Sequence, residues 1–200
     1  MRILALLSRG IDRVVLAAGT IASLLFVPLT LVIVYDVIQR KAIGYDNRFI
    51  DTPLYLSSTV LQELEWHLHG ALFLLALGYA YVKDAHVRIE LLRERFPWRR
   101  KVGFEAAGIL LLLLPYCWFV INYGWGFAER SLLTNEGSAT NGIPSRWVIK
   151  AFVPLGFVLL GLAGVSVLLK CIVRLSGSGE NVGDEGPLGT PPSPSGPSTR

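Results

Sequence analysis

Four long apolar stretches, separated by polar segments, dominate the pattern of hydrophobic and polar positions. A helix needs roughly 20 mainly apolar residues to cross a bilayer, and each stretch approaches or reaches that length. The stretches themselves are 14–35, 68–82, 106–123 and 151–169. The pattern predicts an all-α integral membrane protein with four transmembrane helices, at about 14–35, 62–82, 104–124 and 148–170.

The first apolar stretch shares one feature with a secretory signal, since three arginines precede it within the first 13 residues. It is longer than a typical signal core, however. Asp36 and the basic segment 39–41 follow it in place of a small-residue cleavage site. We therefore expect an uncleaved membrane helix.

Two prolines lie inside predicted helices. Pro28 has no N–H to donate to the carbonyl of Leu24, and Pro154 has none for the carbonyl of Lys150. A missing backbone hydrogen bond weakens a helix locally, so we expect a bend near each proline.

The Lys and Arg residues divide unequally between the two sides of the membrane. With four crossings, the N-terminus, the loop 83–101 and the chain from residue 170 share one side and hold thirteen of the 19 cations. The other side holds six. Cytoplasmic segments are enriched in Lys and Arg, so both termini and the middle loop are predicted to be cytoplasmic. This distribution also accounts for the net charge of +4 without a nucleic-acid partner.

The second predicted helix begins with an acidic and aromatic cluster. Glu63 and His67 are four residues apart and share a face, whereas His67 and His69 point in different directions. This geometry favours interfacial hydrogen bonding by the histidines over a metal or haem role, which stays open. Glu63 and Glu65 lie at the membrane margin, where we expect them to be solvated.

Small residues predict close helix contacts. In the second helix Ala71 and Gly78 lie on one stripe, and in the fourth helix Gly161 and Gly164 are three residues apart. Small side chains on one stripe let a neighbouring helix approach closely.

A short amphipathic helix is predicted between the second and third crossings. Its apolar residues Ile89, Leu92 and Phe96 recur three and four residues apart, with charged residues between them. Such a helix lies in the membrane interface, where anchoring to lipid headgroups is favoured over substrate binding.

The remaining segments carry no catalytic motif. Cys117 and Cys171 are expected to be unpaired apolar residues, and no phosphate loop, metalloprotease motif or nucleophile elbow occurs. The outer loop 36–60 either meets a partner or is a solvated connector. The Gly-, Ser- and Pro-rich segment 176–200 is predicted to be a disordered tail after a membrane domain at 1–175. We therefore expect no enzymatic activity.

Several motifs between residues 61 and 169 carry a family resemblance, and the most specific is the His-Val-Arg block at 86–88. The motifs are 62–67, 78–79, 84–88 with Leu91, 146–147 with Lys150, and 154–157 with 159–160. Together they resemble the small membrane subunit, of the DctQ type, of tripartite ATP-independent periplasmic (TRAP) transporters. The first loop and the tail lie outside the pattern.

The resemblance implies a subunit of a sodium-coupled, binding-protein-dependent transporter for organic acids, commonly carboxylates, in the bacterial inner membrane. In that family a large permease (M-type) subunit carries the substrate and sodium sites, and a periplasmic solute-binding (P-type) protein delivers the substrate. The small subunit packs against and stabilises the permease, and it is expected to help dock the binding protein. The resemblance implies no cofactor in this chain, and membrane lipids are its other partners.

The residues that we expect to serve subunit contact or orientation lie in or beside the matching motifs. Those near the outer face would meet the partners, and His86 and Arg88 would fix the cytoplasmic end. The full set is Glu63, Trp66, His67, Gly70, Gly78, His86, Arg88, Trp147 and Lys150.

The main alternative is a membrane anchor of a respiratory oxidoreductase, in which histidines hold a b-type haem. Such a site needs two facing histidines. His67 and His69 lie at one end of a helix and His86 at the other, so only a dimer could assemble the pair. An isolated channel is a third class, for which a polar pore-lining stripe is missing.

Overall fold

The computed structural model describes residues 2–45, 50–85, 97–139 and 142–176, and within these ranges it is helical without strands. The helices are α1 (Arg2–Leu24), α2 (Phe26–Tyr45), α3 (Ser58–Val82), α4 (Trp98–Gly108), α5 (Leu114–Leu133) and α6 (Trp147–Leu175). A π-helical turn, Ile109–Leu113, joins α4 to α5. The prediction of an all-α fold is confirmed.

Three helical segments are long and apolar enough to cross a membrane, namely Ile3–Tyr45, Trp98–Leu133 and Trp147–Leu175. At 1.5 Å per residue they measure ~65, ~54 and ~44 Å, against a hydrocarbon core of ~30 Å, so they tilt or extend beyond it. α3 is not among these three segments, and its first turns carry acids and histidines. A membrane crossing by α3, and with it the total of four crossings, therefore stays a prediction.

The helices extend past their predicted ends. The first was predicted at 14–35, but helical structure runs from α1 through α2, and the third reaches from α4 to the end of α5. The prediction followed the apolar stretches alone. Amphipathic turns continue the helices because their polar side chains, such as Asp12 and Gln39, bond to other elements.

Leu25 separates α1 from α2, one turn before Pro28. Its N–H lies 3.0 Å from the carbonyl oxygen of Ala22 and 3.3 Å from that of Ile21, as in a tightened turn. The bend expected near Pro28 thus has a break in the helix at Leu25 beside it. In contrast, α6 continues as a helix through Pro154.

Helix α6 is the centre of the fold. It packs against α1, α3, α4 and α5. In its most apolar stretch of 18 residues, 44% of the residues are buried. The corresponding share is 11% in the α4–α5 segment and 17% in the α1–α2 segment. These four helices therefore surround α6, and the α1–α2 and α4–α5 segments leave most of their own apolar surface uncovered.

Glycines let α3 and α6 come close. A Cβ atom at Gly78 would lie 2.7 Å from the carbonyl oxygen of Leu159, and one at Gly156 would lie 2.7 Å from that of Leu74. Each helix thus places a glycine against the other's backbone, and Ala71 on the same stripe is buried. The predicted small-residue stripe of α3 is confirmed as a contact with α6.

Of the two glycines predicted for α6, Gly164 packs tightly against Leu113, whereas Gly161 has ordinary room. The predicted amphipathic helix at 89–96, the candidate residues His86 and Arg88, and residues 177–200 of the tail lie outside the described residues.

Candidate functional site

The beginnings of α3 and α6 meet the loop 134–146 at one end of the bundle, which we call the Glu63 end. Glu63 is 6% exposed. Its carboxylate accepts hydrogen bonds from the Ser138 hydroxyl, from the N–H of Ile143 at 2.6 Å and from the Arg146 guanidinium at 3.4 Å. The expectation that Glu63 is solvated is therefore wrong, because loop residues distant in sequence enclose it.

The loop fits closely around this carboxylate. A Cβ atom at Gly142 would overlap the Glu63 carboxylate, so a side chain at that position would have to displace it. The loop backbone is also bonded to itself and to α5. The N–H of Arg146 donates to the carbonyl of Glu136 at 3.0 Å, and the N–H of Glu136 donates to that of Ser131 at 3.0 Å.

A second ion pair attaches the loop to α6. The Lys150 ammonium pairs with the Glu136 carboxylate and lies 4.1 Å from the centroid of the Phe127 ring. The Lys150 side chain therefore reaches back from α6 to the loop carboxylate. Hydrogen bonding from Lys150 holds the pKa of Glu136 below its ordinary value.

His67 lies one turn after Glu63, and its ring contacts that of Trp66. Its Nδ1 is 2.6 Å from the carbonyl oxygen of Glu63, which can only accept, so in the neutral ring Nδ1 carries the proton. Its Nε2 is buried and has no hydrogen-bond partner among the described residues. The Trp66 ring lies 3.9 Å from the His67 ring and is 44% exposed. Trp66 thus presents an aromatic surface on the exterior of the helix bundle.

The structure brings most of the predicted candidates together. A Cβ atom at Gly70 would lie 3.2 Å from Cδ1 of Ile149, so Gly70 lets α6 approach α3. Gly78 lies farther along α3, against Leu159. The candidates at the Glu63 end are Glu63, Trp66, His67, Gly70, Trp147 and Lys150.

The sequence reasoning missed a polar cluster at the opposite end of the bundle, which we call the Lys170 end. The Asp12 carboxylate pairs with the Lys170 ammonium at 2.6 Å and accepts a hydrogen bond from the Ser166 hydroxyl at 2.6 Å. The Ser8 and Ser166 hydroxyls lie 2.8 Å apart. Each helix contributes two polar residues four apart, a spacing that places them on one face and could have indicated the cluster.

The loop between α2 and α3 is attached to α2. The Gln39 side chain, which is 1% exposed, donates to the carbonyl of Leu56 at 2.6 Å and accepts from its N–H at 3.0 Å. The Tyr35 hydroxyl donates to the carbonyl of Leu54. The described part of this loop is therefore held against the bundle.

The charged groups at both ends stabilise the arrangement of helices and loops. Within the described ranges, no group of three or more His, Cys, Asp or Glu side chains could hold a metal ion. What the Glu63 end offers is a surface formed by the described parts of the loop and an exposed indole, which suits contact with another protein.

A family model described as "Tripartite ATP-independent periplasmic transporters, DctQ component" matches residues 29–174. The match covers about three quarters of the chain and includes every motif on which the sequence resemblance rests. Among the curated proteins, none matches this chain.

Proposed function

Because this chain belongs to the DctQ component family of the tripartite ATP-independent periplasmic transporters, as its motifs predicted, we propose that it is the small membrane subunit of a sodium-coupled transporter for organic acids such as carboxylates. It packs against and stabilises the large permease subunit and helps to dock the periplasmic binding protein. The family match over 29–174 carries this proposal. The family is one of transporter components, not of enzymes, and it does not favour a respiratory membrane anchor.

The uncovered helix faces support a partner within the membrane. Side chains of α5 such as Tyr116, Trp118 and Phe119 are more than half exposed, as are Val27 and Leu31 on α2. Apolar surface of this extent is covered either by lipid or by the packing of another membrane subunit. The permease accounts for part of it and lipid for the rest.

In the proposed topology α3 crosses the membrane as the second of four helices. Both termini lie in the cytoplasm of a bacterial cell. The excess of Lys and Arg on that side supports this arrangement. Single cysteines at Gly137 and Gly103, in a chain whose two native cysteines are replaced, would test it in intact cells. A membrane-impermeant maleimide should label Gly137→Cys and leave Gly103→Cys unlabelled, and the reverse result would refute the orientation.

The Glu63 end is the proposed contact for the binding protein. A large exposed aromatic ring is a frequent centre of protein interfaces, which is why we assign this role to Trp66. Trp66→Ala should weaken cross-linking of the binding protein to the loop 134–146, whereas Trp125→Ala, which removes a more exposed indole from the side of α5, should not. If no position in the outer loops reaches the binding protein, the docking part of the proposal is wrong.

The first test of the whole proposal is affinity purification of the tagged full chain in mild detergent. A large multi-spanning permease is expected to co-purify, without a haem absorbance band. A haem or iron–sulfur protein in its place, or the chain alone, would contradict the proposal.

A further inference from the structure

A groove of about 660 Å³ lies between the last turn of α3 and the helical segment formed by α4 and α5. Tyr81 forms one wall, and a stripe of residues from Phe104 to Tyr116 forms the other. Tyr116 lies twelve residues after Phe104, a rise of ~18 Å along the helix, close to the ~15 Å depth of one leaflet of the hydrocarbon core. The groove thus has the length of one leaflet.

The π-helical turn Ile109–Leu113 shapes this groove. Ile109, Leu112 and Leu113 all line it, and π-helical turns occur frequently at functional sites. Gly108 lies one residue before the turn, and a Cβ atom there would have no neighbour within 4 Å. The missing side chain therefore leaves the middle of the groove open.

The walls are almost entirely apolar. The carboxylate in them, that of Glu105, accepts a hydrogen bond from the Tyr81 hydroxyl at 3.1 Å. An elongated apolar groove on a membrane helix suits a hydrocarbon chain better than a polar solute, because a solute would leave its polar groups unpaired.

Cations stand at the end of the same stripe. Lys101 precedes Phe104 and Glu105 by three and four residues, so it continues the lining face of the helix. Arg99 and Arg100 are its neighbours, and among the described residues none of the three cations has an ion pair. Basic residues at the cytoplasmic ends of membrane helices attract anionic lipid headgroups. The negative charge of Glu105 would keep a phosphate from moving deeper.

We propose that this groove binds one anionic phospholipid, with an acyl chain along the stripe from Phe104 to Tyr116 and its phosphate at Lys101. The site belongs to this chain itself. The inference rests on the proposed function only for the side of the membrane from which the lipid comes, the cytoplasmic leaflet.

The test uses the full chain, purified in mild detergent and titrated with phosphatidylglycerol or phosphatidylethanolamine under native mass spectrometry. One phosphatidylglycerol should bind preferentially. Gly108→Leu fills the groove and should weaken that binding about tenfold, because displaced methylene groups lose their apolar contacts. Gly103→Leu also extends into open space but does not line the groove, so it should bind as the unchanged chain does.

The headgroup assignment has its own variant. Lys101→Gln should remove most of the preference for phosphatidylglycerol over phosphatidylethanolamine while leaving the acyl chain in place. Both glycine variants should elute as the unchanged chain does in size-exclusion chromatography, which controls for folding.

Equal phosphatidylglycerol affinity of the two glycine variants would overturn the site. Loss of the co-purifying permease from Gly108→Leu, with unchanged lipid binding, would overturn it by assigning the groove to a permease helix. An unchanged preference in Lys101→Gln would overturn the headgroup assignment. If the chain retains the lipid but no permease co-purifies, the lipid site stands and the proposed function fails.

Discussion

The ion pairs at the two ends of the bundle differ in which elements they join and in how exposed they are. At the Lys170 end, Asp12 and Lys170 join two helices directly, and their side chains are only 16% and 10% exposed. At the Glu63 end, each ion pair joins a loop residue to a helix. One partner of each pair remains more open there, with Arg146 30% and Glu136 38% exposed.

This difference predicts different consequences of breaking each contact. Exposed ion pairs contribute little to stability, whereas removing one partner of a buried pair leaves an uncompensated charge. The Lys170 end should therefore determine whether α1 stays packed on α6. The Glu63 end should determine whether the loop 134–146 keeps the shape that a partner recognises.

The largest effect is expected at Lys170. Lys170→Met leaves the Asp12 carboxylate without its counter-ion and should destabilise the fold by about 3–5 kcal/mol. The loss should appear as a lower midpoint in thermal unfolding and as faster maleimide reaction of buried Cys171. Lys41→Met, which removes an exposed lysine from α2, serves as the control.

Adding Asp12→Leu to Lys170→Met should restore much of the lost stability, because the unpaired charge is removed as well. If the double variant is no more stable than Lys170→Met alone, the pair is not the cause of the loss, and the contrast between the two ends disappears.

The uncharged contact between Gly78 and Leu159, which lies between the two ends, provides a reference value for the loss of stability. Gly78→Leu places a side chain against the backbone of Leu159 and should cost about 1–3 kcal/mol through overpacking. Gly126→Leu extends into open space and should have little effect on the same unfolding midpoint. Equal midpoints for the two variants would mean that α3 and α6 are less closely packed than the structure indicates.

The sequence predicted the helices and much of their packing because those depend on local patterns. The apolar stretches located the helix centres, the bend expected at Pro28 lies close to the break at Leu25, and Ala71 with Gly78 located the contact with α6. The helix ends were predicted less well, since polar residues such as Asp12 continue a helix only when another element bonds to them.

The Glu63 site was predicted only in part, for a related reason. The cluster at the start of α3 was visible in the sequence, but its partners Ser138, Ile143 and Arg146 lie some 80 positions away in a loop without periodicity. No local spacing connects them to Glu63. The Asp12–Lys170 pair was accessible in principle, because both helices carry their polar residues at a spacing of four.

The loop at the Glu63 end should loosen when Glu63 loses its charge. Glu63→Gln keeps the side-chain volume but removes the counter-ion of Arg146 and one acceptor oxygen. Proteolysis within 134–146 should become about tenfold faster, as expected for a lost charge-assisted hydrogen bond, with a smaller change in the unfolding midpoint than for Lys170→Met. Glu65→Gln, on the same helix, should cleave at the original rate. A large drop in the midpoint for Glu63→Gln would remove the distinction between the ends.

The smallest effect is expected from pH at the Glu136–Lys150 pair. The pKa of Glu136 is lowered in the folded chain, chiefly by its hydrogen bond with Lys150. Its contribution to stability is therefore complete above the ordinary value of about 4.5 and disappears as the pH falls through the lowered pKa.

Other carboxylates titrate in the same range, so the informative quantity is the difference in unfolding midpoint between the unchanged chain and Glu136→Gln. That difference should be small near pH 7, because Glu136 is partly exposed, and should vanish as the pH falls below 4.5 through the lowered pKa. A difference that grows on acidification would show that the pair opposes folding, and the loop would then be held by Glu63 alone.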